Sequence, residues 1–171
     1  MPIRLLLAAL MMVAFAAACG GDDATPTKSA TVAPTASTTP TGNPNGVPTV
    51  SANAVTTATG LRYEDTQAGP GASPNAGDCL EMHYTGWLQD GTEFDSSRGG
   101  DPFHFELGAR RVIAGWDEGV ASMKVGGQRI LVIPPALGYG ADGSPPVIPG
   151  NALLVFEVEL VAIVDAAACN S

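Results

Sequence analysis

From Gly60 onward the chain alternates short apolar runs with breaks rich in Gly and Pro. Leu61-Arg62-Tyr63-Glu64-Asp65-Thr66 alternates loosely and Leu80-Glu81-Met82-His83-Tyr84-Thr85-Gly86-Trp87-Leu88 alternates more clearly, which predicts two strands. Gln89-Asp90-Gly91-Thr92 after them carries the Asp-Gly signal of a hairpin turn. Phe103 to Leu107, Gln128 to Ile133 and Ala152 to Val164 predict three more strands, and Val158-Glu159-Leu160-Val161 in the last sets acids against aliphatics. Between them, apolar residues at Val112, Ile113, Trp116, Val120 and Met123 recur at helical spacing. Asp117 and Glu118 fall in or near the first turn of that helix, where carboxylates interact well with the macrodipole. About five antiparallel strands and one short helix make an α+β domain over 60–171.

The residues before Gly60 follow a different pattern. Met1 to Cys19 opens with Arg4, continues through an apolar run from Leu5 to Phe15, and closes on Ala16-Ala17-Ala18 before Cys19. The run is too short to span a bilayer, which takes about 20 apolar residues, and Gly20-Gly21-Asp22-Asp23 follows directly, so 1–19 reads as a secretory signal peptide. Small residues ahead of a cysteine also resemble the bacterial lipobox, which implies cleavage before Cys19 and a lipid on it. Ala16 stands where that box most often has Leu, and ordinary cleavage near Ala18 is the alternative. Residues 20–59 are Thr, Ser, Pro, Ala, Gly and Asn almost throughout, without an aromatic residue. Such a stretch cannot bury enough apolar surface to offset its ordering entropy and reads as a disordered linker.

Charge and cysteines narrow the function classes. The net charge of -9 lies entirely beyond the linker, where 15 Asp/Glu stand against 6 Lys/Arg. Arg110-Arg111 is the one adjacent basic pair, so a phosphate backbone or an anionic lipid surface finds no basic patch, and any membrane contact runs through the lipid anchor. Cys19, Cys79 and Cys169 lack the close spacing of zinc or redox motifs, so no metal is expected.

The folded segment carries an ordered series of short motifs. These are His83-Tyr84-Thr85-Gly86, Asp90-Gly91 with Phe94-Asp95-Ser96-Ser97, Pro102-Phe103, Val112-Ile113 with Gly115-Trp116, Gly138-Tyr139-Gly140, Ile148-Pro149, and Leu154-Val155-Phe156 with Val158-Glu159-Leu160. In that order they resemble the FKBP peptidyl-prolyl cis/trans isomerases, which bind macrolide immunosuppressants, from about Gly60 to Val164. The resemblance implies a strongly twisted antiparallel sheet wrapped around the helix, with an apolar pocket between them. It assigns the catalytic lining to Tyr84, Phe94, Asp95, Ile113, Trp116, Tyr139 and Phe156, with Trp116 as the floor. It adds Phe103, Val112, Val147 and Ile148 as substrate or macrolide contacts. It also places the C-terminal tail near the start of the strand at Cys79, which implies a disulfide between Cys79 and Cys169 outside the cytoplasm. Two departures stand out. The loop Ser96 to Asp101 is one residue shorter than in the family prototype and lacks the second arginine that pairs there with the pocket aspartate, and Ser144 and Val147 replace a common His and Ile.

The chemistry needs no nucleophile, acid/base pair or cofactor, because rotation about a prolyl bond breaks no covalent bond and meets a barrier of about 18–20 kcal/mol from amide resonance. A dry seat for the proline ring and donors that favour the twisted amide suffice; a ~10⁵-fold acceleration takes roughly 7 kcal/mol. By the resemblance, the backbone N–H of Ile113 and the hydroxyl of Tyr139 are those donors, and Asp95 interacts with a neighbouring hydroxyl or a twisted carbonyl carbon in surroundings of low dielectric. His83 reads as a hydrogen-bonded structural residue, His104 as solvated, and the proline-rich loop from Gly140 to Asn151 as a specificity element. The expectation is a monomeric isomerase, anchored outside the cytoplasm by lipid, that speeds proline-limited folding of exported proteins and is inhibited by macrolides such as FK506 or rapamycin. A non-catalytic module or holdase gripping Pro-containing segments, or a structural lipoprotein, would tolerate losses at Tyr139 or Asp95, and both residues are retained.

Overall fold

The structure is a computed structural model that describes residues 46–170. The expected signal peptide with Cys19, and the linker up to residue 45, lie outside the described residues. Seven strands form one antiparallel sheet: β1 (Val55–Thr56), β2 (Arg62–Gln67), β3 (Cys79–Leu88), β4 (Glu93–Ser96), β5 (Phe103–Glu106), β6 (Gln128–Ile133) and β7 (Leu154–Val164). The spatial order is β1-β2-β6-β7-β3-β4, and β5 shares an edge of β3 with β4. β5 pairs with the first half of β3, from Cys79↔Glu106 to Met82↔Phe103, and β4 with the second, from Thr85↔Ser96 to Trp87↔Glu93. The two strands beyond the five expected are β1, only two residues long, and the four-residue β4, whose single apolar residue, Phe94, gives no alternation to read.

The one α-helix among the described residues, α1 (Ala114–Val120), packs on the sheet through Trp116 and Val120. It is shorter than the expected span of Val112 to Met123. Ile113 is its extended N-cap residue and Ala121 its C-cap, yet Val112, Ile113 and Met123 pack on the core from outside the helix, so the apolar spacing reported burial more widely than helicity. The inner face of the sheet contributes Leu80 and Met82 of β3, Leu131 and Ile133 of β6, and Leu154, Phe156, Val158 and Leu160 of β7 at period two, all buried against Trp116 and Val120 of α1.

Part of the opposite face is covered as well. Ile130 and Val155 point outward and are buried by Val47, with Val50, Trp87, Val132 and Leu153 around them. Residues 46–59, expected as the end of the linker, are therefore part of the ordered fold. Val47 seals the outer cluster, the Ser51 side chain donates to Glu64 at 2.7 Å, and β1 pairs with β2. Four scattered valines in a Thr/Pro-rich tract were too sparse to signal this strap. At the other terminus Cys79 and Cys169 are joined by a disulfide that closes a 90-residue separation. In the chain-entropy account a loop of that length stabilises the fold by about 4–5 kcal/mol.

Candidate functional site

Where the N-terminal end of α1 faces β3, β4 and β7, a cleft of about 370 Å³ opens. Tyr84, Phe94, Asp95, Phe103, Val112, Ile113, Trp116, Tyr139 and Phe156 line it, together with Arg111. The floor and walls follow from ring geometry. Trp116 is buried, and the rings of Tyr84 (5.0 Å, 84°), Phe156 (5.4 Å, 84°) and Phe103 (6.1 Å, 83°) stand almost perpendicular to its indole. Phe94 meets Phe156 edge to face at 5.4 Å and extends that wall. Such edge-to-face contacts fix the lining rings relative to one another. Gly86 makes the wall possible: a Cβ there would stand 2.7 Å from ring carbons of both Phe94 and Phe156.

The polar groups sit at the rim. Tyr84 donates its hydroxyl to Asp95 Oδ2 at 2.6 Å. Burial first, then that hydrogen bond and the negative charge of Asp95, push the Tyr84 phenol well above its ordinary range, so it remains a neutral donor. Asp95 is exposed, which corrects the expectation of low-dielectric surroundings around it. In the short loop that lacks the second arginine, Asp95 has the Tyr84 hydroxyl as its side-chain partner. Arg98 turns away from Asp95 and bridges Glu157 (3.1 Å) and Glu159 (3.2 Å) of β7.

Three donors in the cleft have no partner among the described residues: the Ile113 backbone N–H, the Tyr139 hydroxyl and the buried Nε1 of Trp116. Elsewhere in the described fold, the buried side-chain polar atoms have partners. His83 Nδ1 contacts the Ser97 hydroxyl (3.2 Å), which also accepts the Tyr84 N–H (3.0 Å), and His104 lies 3.6 Å from Glu81 across β3–β5. Neither histidine reaches the cleft.

These features coincide with similarities to known proteins. The family model for the FKBP-type peptidyl-prolyl cis-trans isomerase matches residues 71–161. The chain belongs to the FKBP-type peptidyl-prolyl cis-trans isomerase family. An FK506-binding protein of Neisseria meningitidis is 50% identical over 107 residues, covering 62% of this chain and 98% of that one. FK506-binding protein 4 of Dictyostelium discoideum is 55% identical over 108 residues, 63% of this chain, and the chain spans 29% of that longer protein. The crystal structure of FkpA from Escherichia coli superposes with a TM-score of 0.62 at 45% identity, covering 68% of this chain and 54% of that one. In this FKBP domain Val147 and Ile148 stand apart from the cleft lining: Val147 is exposed on the loop after Gly140, and Ile148 is buried in the core. Sequence reasoning missed Arg111, although it immediately precedes the Val112-Ile113 motif.

Proposed function

We propose that the protein is a lipid-anchored peptidyl-prolyl cis/trans isomerase that speeds proline-limited folding of exported proteins outside the cytoplasm, acting as a monomer. The observation that carries the reading is the coincidence, in one apolar box, of a Trp116 floor and two unengaged donors, Ile113 N–H and Tyr139 hydroxyl. A proline ring seated on Trp116 leaves its flanking carbonyls in reach of those donors. Donors fixed in advance act most strongly on the geometry they fit best, here the twisted amide, and need no reorganisation as the bond turns. Asp95 keeps the Tyr84 ring in place as a wall.

The test is the cis-to-trans rate of a short Pro-containing peptide with the full chain, with and without rapamycin or FK506. Acceleration blocked by macrolide is expected. Tyr139→Phe should lower kcat/KM about tenfold, the worth of one hydrogen bond, while changing stability by under about 0.5 kcal/mol. A folded protein that leaves the peptide rate unchanged overturns the catalytic reading. The address rests on Cys19 and is tested by palmitate labelling in a bacterial host, where Cys19→Ser should abolish incorporation; an unlabelled parent chain overturns it.

A further inference from the structure

We propose that Arg111 determines substrate specificity, favouring peptides that carry a carboxylate side chain next to the proline; this rests on the isomerase reading of the cleft. Among the described residues, two charged ones line the cleft, Asp95 and Arg111. Asp95 already accepts the Tyr84 hydroxyl, whereas Arg111 is exposed and has no carboxylate at ion-pair distance among the described residues. Arg98 and Arg129, by contrast, are both committed to acids of the fold.

The backbone separates the two consecutive arginines. Arg110 has a φ of 57°, a left-handed conformation that a non-glycine side chain adopts at a cost, and it lines a surface groove with Asp117 and Glu118. Arg111 is thereby left on the cleft side. A guanidinium recognises a carboxylate through two parallel N–H···O bonds, so its geometry selects an acid over an amide of the same shape. The domain is acidic overall, with 15 Asp/Glu against 6 Lys/Arg beyond the linker, so its distant field favours cationic peptides. That field is screened beyond about 8–10 Å at physiological salt, and the contact at Arg111 is not.

The experiment measures kcat/KM of the full-length protein at physiological ionic strength on two peptide series, with Glu, Gln or Lys either immediately before or immediately after the proline. At one of these positions Glu is expected to exceed Gln by about two- to fivefold, the effect of an exposed ion pair, through KM with kcat little changed. Arg111→Gln should bring the Glu/Gln ratio close to one, and Arg111→Glu should move the preference to Lys. A wild-type ratio near one at both positions, or a ratio that Arg111→Gln leaves unchanged, overturns the inference while the isomerase reading stands. If wild-type protein accelerates none of the peptides, the isomerase reading fails and takes this inference with it.

Discussion

The two ends of the seven-residue helix α1 differ in how their polar groups are used. At the C-terminal end, Arg129 of β6 is buried and spends four donor contacts: two on Asp65 (2.6 and 3.0 Å), one on the Gly119 carbonyl (2.6 Å) and one on the Ser122 hydroxyl (2.7 Å). Its guanidinium also lies 4.1 Å from the centre of the Tyr63 ring. At the N-terminal end, no side chain caps the helix, the Ile113 N–H is unengaged, and Trp116 Nε1 is the buried side-chain atom left without a partner among the described residues. An unmade hydrogen bond in a buried place costs roughly 1–3 kcal/mol, so the fold concentrates that cost at the cleft and stabilises the same helix at its far end. Satisfied groups mark where the helix is held to the sheet, and unsatisfied ones gather at the end that borders the cleft.

The strongest way to break this contrast is Arg129→Leu. The substitution strands the Gly119 carbonyl and the Asp65 carboxylate in one step. Removing one partner of a buried pair costs 3–5 kcal/mol, and the low end, about 3 kcal/mol, applies here because Asp65 is half exposed. A lowered urea midpoint at constant m-value is expected, with kcat/KM of the folded fraction retained. Loss of activity without loss of stability would reverse the roles of the two ends.

A finer comparison uses two glycines whose added Cβ meets its nearest neighbour at the same 2.7 Å: Gly119, against Leu131 Cδ2, and Gly86, against ring carbons of Phe94 and Phe156. Leu131 is fully buried and has nowhere to retreat, so Gly119→Ala should cost about 1–3 kcal/mol of stability by overpacking. Phe94 is only half-buried and lines an open cleft, whereas Phe156 is buried, so Gly86→Ala should displace the Phe94 ring and lower kcat/KM by roughly ten- to hundredfold, beside a stability cost no larger than that of Gly119→Ala. Unfolding curves and peptide assays on both variants separate the two outcomes.

Much of this contrast was invisible from residue order, for physical reasons. β3, β6 and β7 are long enough for their two faces to appear as period two, and the aromatic positions of the cleft fall inside short motifs that occur in order. Arg129, by contrast, is a lone cation within Gln128–Ile133, and its partner Asp65 is 64 positions away. Nothing local distinguishes a buried, fourfold-bonded arginine from a solvated one. The strap at Val47 was hidden because a single valine can be buried only where a second face, here Ile130 and Val155, waits uncovered. Val147 and Ile148 were assigned to the cleft by motif, yet the loop places one in solvent and one in the core.

The smallest effect is the response to alkali. Tyr84 has its phenol pKa raised in the fold, by burial and by Asp95, so the folded state favours the neutral phenol. Its stabilising contribution is therefore fully present below the ordinary tyrosine value of about 10 and is lost as pH rises from there toward the folded-state value. Arginine keeps its proton throughout that window, so the Arg129 end holds while the Tyr84–Asp95 contact at the cleft end weakens. Urea midpoints followed upward from about pH 9 should fall more steeply for the wild-type chain than for Tyr84→Phe, which has no phenol to ionise. An absorbance titration should show one tyrosine ionising above the ordinary range and should lose that late phase in Tyr84→Phe. Parallel midpoint curves for the two proteins would mean that the Tyr84–Asp95 contact positions the cleft wall without stabilising the fold, sharpening the division between the two ends of α1.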